Sequence, residues 1–343
     1  MSANSKIEWT DHTFNPWIGC AKVSPGCDGC YAEVSTPVRT LGIGWGASQP
    51  RHRTSDANWK LPERWNAQAE AFAARHGRRQ RVFCASLADV FDNAVYPHWR
   101  IDLWDLIEAT PKLDWLLLTK RIGNAERMLP WSACSEPWPN VWIGATITSQ
   151  AEADRDIPKL LGLPARVRFL SMEPLLGPVD LRSIDVSGNE EILPLGATWL
   201  GREECGPRLD WVIGGGESGP KARPMHPDWA RSLRDQCDAA GVPFLFKQWG
   251  EWWPISQMEE ADHNALYRSR VKAREHESQD AIDDSYGRKC IVETGVIHND
   301  GSLHGITEPM TFRQGTGAML AFKVGKNAAG RLLDGVQHDG FPA

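Results

Sequence analysis

Short apolar runs alternate with longer mixed segments along most of this chain. The runs Arg81–Ser86, Asp114–Arg121, Val141–Thr146, Arg166–Pro174, Leu209–Glu217 and Pro243–Trp249 are continuous in their apolar cores, and Thr13–Ile18 reads as a shorter one. A strand with one face in water alternates apolar and polar residues. A continuous run of four to six apolar residues marks a strand covered on both faces, the habit of parallel sheets. Between them the pattern predicts helices over Pro62–His76, His98–Ala109, Gln150–Leu161 and Asp228–Ala240, the first stopped by Gly77 and the second ending before Pro111.

Seven strands alternating with helices fit either an open doubly wound sheet or a (β/α) barrel. The polar residues favour the barrel. Ser86, Asp89, Thr119, Lys120, Arg121, Thr146, Ser171, Glu173, Glu217, Lys247 and Gln248 all stand at or just past the C-terminal end of a run. In a barrel those ends form one rim on which a single site is built. The expected fold is therefore α/β, a parallel (β/α) barrel, partial with six to seven strands, over residues 1–255. Past Trp253 the pattern weakens. Residues 256–289 are charged and mixed in sign, read as a surface helix or a mobile insertion. Residues 290–343 read as a small C-terminal extension with strand-like runs at Cys290–Glu293 and Met319–Phe322 and a glycine-rich tail. In that tail Lys326 and Arg331 are either within reach of a phosphate or ordinary surface charges.

Composition changes this picture little. Hydrophobic residues make up 41% and charged residues 24% of 343, which suits a globular protein with a large core. No run is long enough to cross a membrane. A net charge of −6 excludes a uniformly basic nucleic-acid platform. The exception is local. From Arg39 to Arg81 nine Lys and Arg face three Asp and Glu, with Trp45, Trp59, Trp65 and Phe72 interleaved. Such a stretch either holds a phosphate backbone or is a solvated face over core-facing aromatics. Eight cysteines in this length, after an opening Met-Ser-Ala-Asn-Ser with no apolar signal stretch, predict a reducing cytoplasm rather than a disulfide framework.

The candidate chemistry sits in the loop after the first strand, Gly19-Cys20-Ala21-Lys22-Val23-Ser24-Pro25-Gly26-Cys27-Asp28-Gly29-Cys30-Tyr31. Thiolates are the soft ligands that iron and zinc prefer, and three of them leave a metal valence open where a closed structural site would fill it. Cys20, Cys27 and Cys30 are the candidate metal ligands. Cys27-Asp28-Gly29-Cys30 alone also fits a zinc knuckle, completed by His12 or a distant cysteine.

A barrel with a three-cysteine loop after its first strand resembles the radical S-adenosylmethionine enzymes. More closely, the words Asn15-Pro16-Trp17-Ile18-Gly19-Cys20, Ser24-Pro25-Gly26-Cys27, Leu118-Thr119-Lys120-Arg121, Ser171-Met172-Glu173-Pro174 and Gly215-Gly216-Glu217-Ser218-Gly219 resemble a phage and prophage family of uncharacterised proteins defined by a three-cysteine motif. The superfamily resemblance implies a 4Fe–4S cluster on the three thiolates. It also implies S-adenosylmethionine chelated by the open iron and a deoxyadenosyl radical as the working species. An electron donor such as a flavodoxin or ferredoxin is implied, and a separately encoded partner protein is compatible with it. Two features depart from the superfamily. The spacing is C-x6-C-x2-C instead of C-x3-C-x2-C, and the Gly-Gly-Glu word lies on the sixth strand instead of the second, so the amine-binding role does not pass to Glu217.

The resemblance suggests roles. Lys120, in a Thr-Lys word similar to one in spore photoproduct lyase, is the candidate for the S-adenosylmethionine carboxylate. Ser86 is the candidate for its amine, and Thr146 and Ser171 for its ribose. Glu173 and Glu217 remain as catalytic candidates. The expected activity is a radical reaction on a nucleic acid or nucleotide, a phage-linked modification or repair. The alternative is a zinc-binding, non-redox barrel that binds nucleic acid or a partner protein. A glycoside hydrolase using Glu173 and Glu217 leaves the cysteines without a purpose.

Overall fold

Parallel strands standing side by side in chain order form the spine of the protein in a computed structural model, which describes residues 5–132, 136–186, 190–196 and 206–342. They are β1 (His12–Phe14), β2 (Gln80–Cys84), β3 (Leu113–Thr119), β4 (Val141–Thr146), β5 (Val167–Met172), β6 (Trp211–Gly215) and β7 (Phe244–Gln248). Every neighbouring pair is parallel, and β1 and β7 are the two edges. The sheet is thus a partial (β/α) barrel of seven strands, as the polar residues at the strand ends predict.

Strand parity decides what each face holds. Phe83, Leu116, Trp142, Phe169, Trp211 and Leu245 point to the concave side and pack with Trp9. Gly144 lies in this layer because a Cβ there would stand 2.4 Å from the Phe169 ring. The alternate residues, such as Val82, Leu117, Ile143, Leu170 and Phe246, join the larger outer core with Leu103, Ile157 and Leu233. Those last three belong to the helices α1 (Pro97–Ala109), α2 (Gln150–Leu161) and α3 (Pro227–Ala240). The helices begin and stop where local chemistry asks. Pro97 and Pro227 occupy first turns, where a missing N–H costs nothing, and Gly241 ends α3 at φ +66°.

Three sequence expectations change. Thr13–Ile18 is not one strand. Pro16 cannot donate to a ladder, so β1 stops at Phe14, and Trp17–Ile18 turns away to pair antiparallel with His52–Arg53. The helix expected over 62–76 is two, Leu61–Ala67 and Ala69–His76, hinged at Gln68 and closed by the left-handed Gly77. Residues 256–289 hold more than the single surface helix that is one expectation for them. Glu260–Ala265 and Gln279–Tyr286 are short helices around an antiparallel pair, Tyr267–Ser269 with Arg288–Cys290.

The C-terminal part builds a four-stranded antiparallel sheet in which Met319–Lys323 lies between Trp252–Pro254 and Thr294–Ile297, with Leu303–His304 outermost. The last residues return to the barrel. Phe246 N–H donates to the His338 carbonyl and Gly340 N–H to the Phe244 carbonyl, so the tail covers the free edge of β7. Trp211 Nε1 donates to the Gly340 carbonyl at 2.7 Å, and Phe341 packs on the Trp211 ring beneath the Arg81 guanidinium. Among the described residues no helix is long and apolar enough to cross a membrane.

Candidate active site

The concave parity that carries Leu116 and Leu118 continues to Lys120; that of Trp142 and Gly144 continues to Thr146. Likewise Val167 and Phe169 lead to Ser171 and Glu173, and Leu245 leads to Lys247. Within the strands these side chains are apolar; at their tips they turn polar. Thr146 pairs in register with Ser171, and Thr119 with Ala145, which sets Lys120 beside Thr146. The result is a cavity of about 420 Å³ with Trp9, Phe83 and Leu118 in its floor. That volume is within the range of roughly 300–1,000 Å³ typical of small-molecule sites. All nine candidate residues, Cys20, Cys27, Cys30, Ser86, Lys120, Thr146, Ser171, Glu173 and Glu217, line it.

The cysteine loop forms the opposite wall, pressed so closely on the strand tips that a side chain at either of two of its glycines would force a neighbour to move. A Cβ on Gly26 would stand 2.5 Å from Thr148 Cγ2, and one on Gly29 would stand 2.5 Å from Glu217 Oε1. Two arginines from different strand ends hold the loop. Arg121, just past β3, donates to Cys20 Sγ at 3.3 Å and to the Ala21 carbonyl at 2.7 Å, while Asp89 takes its charge at 3.1 Å. Asp89 also accepts from Thr119 Oγ1 and from the Lys120 N–H. On the other side Arg223 occupies both oxygens of Glu217, at 2.7 and 2.8 Å, and donates to the Pro25 carbonyl at 3.0 Å.

Burial pushes the Cys20 thiol up to about 11, against the pull of the Arg121 guanidinium toward the thiolate. Cys20, Cys27 and Cys30 are free thiols. Cys27 Sγ lies 3.9 Å from Ser24 Oγ, and among the described residues no three His, Cys, Asp or Glu side chains are grouped closely enough to hold a metal ion. The donor set nonetheless suits a thiophilic centre. Three thiols of one loop border one cavity, arginines hold the loop at Ala21 and Pro25, and one of them hydrogen-bonds a sulfur.

The remaining rim groups are mostly fixed. Ser86 Oγ accepts from Asn15 Nδ2 at 2.9 Å, and the Asn15 carbonyl oxygen of the side chain accepts from the Leu87 N–H, so the break at Asn15-Pro16 is what shapes the turn after β2. Glu173 accepts from Lys247 Nζ at 2.7 and 2.9 Å and from Gln248 Nε2 at 2.8 Å. Lys120 Nζ has no partner among the described residues. Sequence reasoning missed Arg223 and gave no role to Arg121, Asp89 or Asn15. The word Leu118-Thr119-Lys120-Arg121 pointed at the right strand end, but nothing local marks Arg223 as a clamp.

The basic stretch resolves toward its structural meaning. Arg51 is buried against Asp92 at 2.8 Å, Arg53 pairs with Asp102, Arg78 chelates Asp11, and Arg79 pairs with Asp114. Asp11 and Asp114 lie at strand starts, the end of the sheet opposite the rim. Trp65 stacks on His12 with ring centroids 4.1 Å apart, and Trp59 lies under the Arg53 guanidinium.

A family model matches residues 4–342, nearly the whole chain. The chain belongs to the DUF5131 family, described as proteins of unknown function. No curated protein sequence matches this DUF5131 member. Among solved structures it is similar to a cysteine-to-serine mutant of spore photoproduct lyase, with 11% identity and a TM-score of 0.37 over 82% of this chain and 76% of that one. It is also similar to a double mutant of the same lyase with bound AdoMet and dinucleoside spore photoproduct, with 11% identity and a TM-score of 0.34 over 80% and 73%.

Proposed function

We propose that this cavity is the active site of a radical S-adenosylmethionine-type enzyme acting on a nucleotide or nucleic-acid component, with Cys20, Cys27 and Cys30 holding a 4Fe–4S cluster. One observation carries the reading: the three-cysteine loop and the polar tips of β2 to β7 border a single cavity, with an apolar floor beneath and a lysine without a partner between them. When bound, the cluster supplies the electron that splits the sulfonium of S-adenosylmethionine; a flavodoxin or ferredoxin is the class of donor that would reload it.

The chain's own residues then divide the work. Lys120 offers its ammonium to the cosubstrate carboxylate, a point charge with no competing anion. Ser86, steadied by Asn15, faces the amine, and Thr146 and Ser171 offer adjacent hydroxyls to the ribose. Trp9, Phe83 and Leu118 exclude water from below, which protects a reactive species from side reactions. Glu173 and Lys247, sharing hydrogen bonds at the β5 and β7 tips, are placed to hold or pass a proton on the substrate. Glu217 acts through the loop: its oxygens belong to Arg223, and its bulk supports Gly29.

The deciding experiment is anaerobic purification followed by iron, acid-labile sulfide and zinc analysis with a visible spectrum. About four irons and four sulfides per chain, lost in Cys27→Ala, are expected. Stoichiometric zinc without iron, even after anaerobic reconstitution, would overturn the proposal in favour of a zinc-stabilised binding protein.

A further inference from the structure

The charges around the cavity do not balance. Asp89 is neutralised by Arg121, Glu173 by Lys247, and Glu217 by Arg223. Lys120 and Lys326 also line the cavity, and among the described residues neither ammonium has a counter-charge or hydrogen-bond partner. A chain of net charge −6 thus presents two uncompensated cations to one pocket. A pocket of that sign concentrates anions.

Lys326 comes from the C-terminal extension and its side chain is exposed at the cavity mouth, but the backbone that bears it is fixed. The Val324 and Gly325 N–H groups both donate to the Glu251 carbonyl, the Glu251 N–H donates to the Glu217 carbonyl, and the Trp249 N–H donates to the Gly330 carbonyl. The segment bearing Lys326 is therefore stapled by backbone hydrogen bonds to the tips of β6 and β7. Its neighbour in the tail, Arg331, is occupied by Asp339 and the Phe246 carbonyl and takes no part. An ammonium is a compact point charge with three rotatable donors, able to meet a phosphate oxygen from any side.

We infer that Lys326 forms a subsite for a phosphate group of the substrate, so that the C-terminal extension completes the active site. The inference rests on the proposed function only in reserving Lys120 for the cosubstrate. The substrate is then a phosphate ester, either a free nucleotide-like molecule or a strand of nucleic acid entering by one phosphate.

The test is lysine footprinting on the full chain: reductive methylation read by mass spectrometry, at constant ionic strength, with pyrophosphate or a short oligothymidylate as probe. Lys326 should be methylated at least ~5-fold more slowly at saturating probe, protection following 1 + [L]/Kd. Exposed Lys272 and Lys289, which lie outside the cavity, should be unaffected. Protection by both probes points to a strand phosphate, and by pyrophosphate alone to a small phosphate ester. Equal slowing of all lysines, or no slowing of Lys326 by either probe, overturns the inference. Lys326→Gln should weaken pyrophosphate binding at least ~5-fold, Lys120 being left as the cavity's other free cation among the described residues, and Lys326→Arg should retain it; an unchanged affinity in the glutamine variant is equally fatal. Iron content separates the two proposals. A zinc-loaded chain with protected Lys326 loses only the radical chemistry, whereas an iron-loaded chain with unprotected Lys326 loses only the phosphate subsite.

Discussion

At the scale of single residues, the Arg121–Asp89 pair is the most consequential contact in the site. Both side chains are buried, and the guanidinium is shared between a carboxylate and a cysteine sulfur. Removing one partner of such a pair leaves a poorly solvated charge, at a cost of about 3–5 kcal/mol, which Asp92 at 4.0 Å from Arg121 offsets in part when Asp89 is the one removed. Arg121→Gln and Asp89→Asn should each destabilise the chain on that scale. The double variant should lose less than the sum, with a coupling in the range of ~0.5–3 kcal/mol in chemical denaturation. Strict additivity would mean that the two groups do not depend on each other. The cysteines, Lys120 and the rim glutamates were legible from residue type and position at strand ends. Arg223 was not, because its partner carbonyl at Pro25 is remote in the chain, and only folding brings them together.

Among elements, the junction between α3 and the C-terminal tail turns on one carboxylate. Asp334 accepts from Arg231, Arg234 and Gln257, and its own N–H donates to Gln257 Oε1. The Arg231 hydrogen bond foremost, then those of Gln257 and Arg234, hold its pKa well below the usual carboxylate range against the opposing effect of burial. A carboxyl group with a depressed folded-state pKa adds stability above its unfolded value near 3.9, and that stability is lost as pH falls through the folded value. Asp334→Asn should therefore melt at a lower temperature than wild type at pH 7, and the two melting curves should converge as the pH is lowered below about 4. A gap that stays constant over the whole pH series would remove the ion pairs as its source. Periodicity located α1, α2 and α3 to within a residue, since each has one face against the sheet. It missed the hinge at Gln68 and the break at Pro16, the second being a place where a missing donor overrides an apolar pattern.

For the whole molecule, an open half-barrel has a difficulty that a closed barrel avoids, an edge strand able to pair with another chain. Here the tail answers it by pairing with β7 and placing Phe341 against Trp211. Deleting residues 337–343 should lower the melting temperature and shift the protein to higher-mass species in size-exclusion chromatography with light scattering. An unchanged mass and melting curve would show that the edge needs no cover. The strand count, their parallel sense, the rim of polar groups and the cysteine loop were all determined by the sequence itself, because each follows from local period and residue type. Tertiary structure alone decided which of those groups are free. By sequence the basic stretch from Arg39 to Arg81 is open between a phosphate-binding surface and a solvated face, and folding pairs its Arg78 and Arg79 with Asp11 and Asp114 at the far end of the sheet. Glu217, a catalytic candidate by its position, has both carboxylate oxygens bonded to Arg223. Lys326, one of many exposed lysines in the sequence, gains its place at the cavity only because backbone hydrogen bonds fold the extension back onto the strand tips. Local pattern sets what a segment can become, whereas the pairing of charges depends on distances that exist only after the chain has closed on itself.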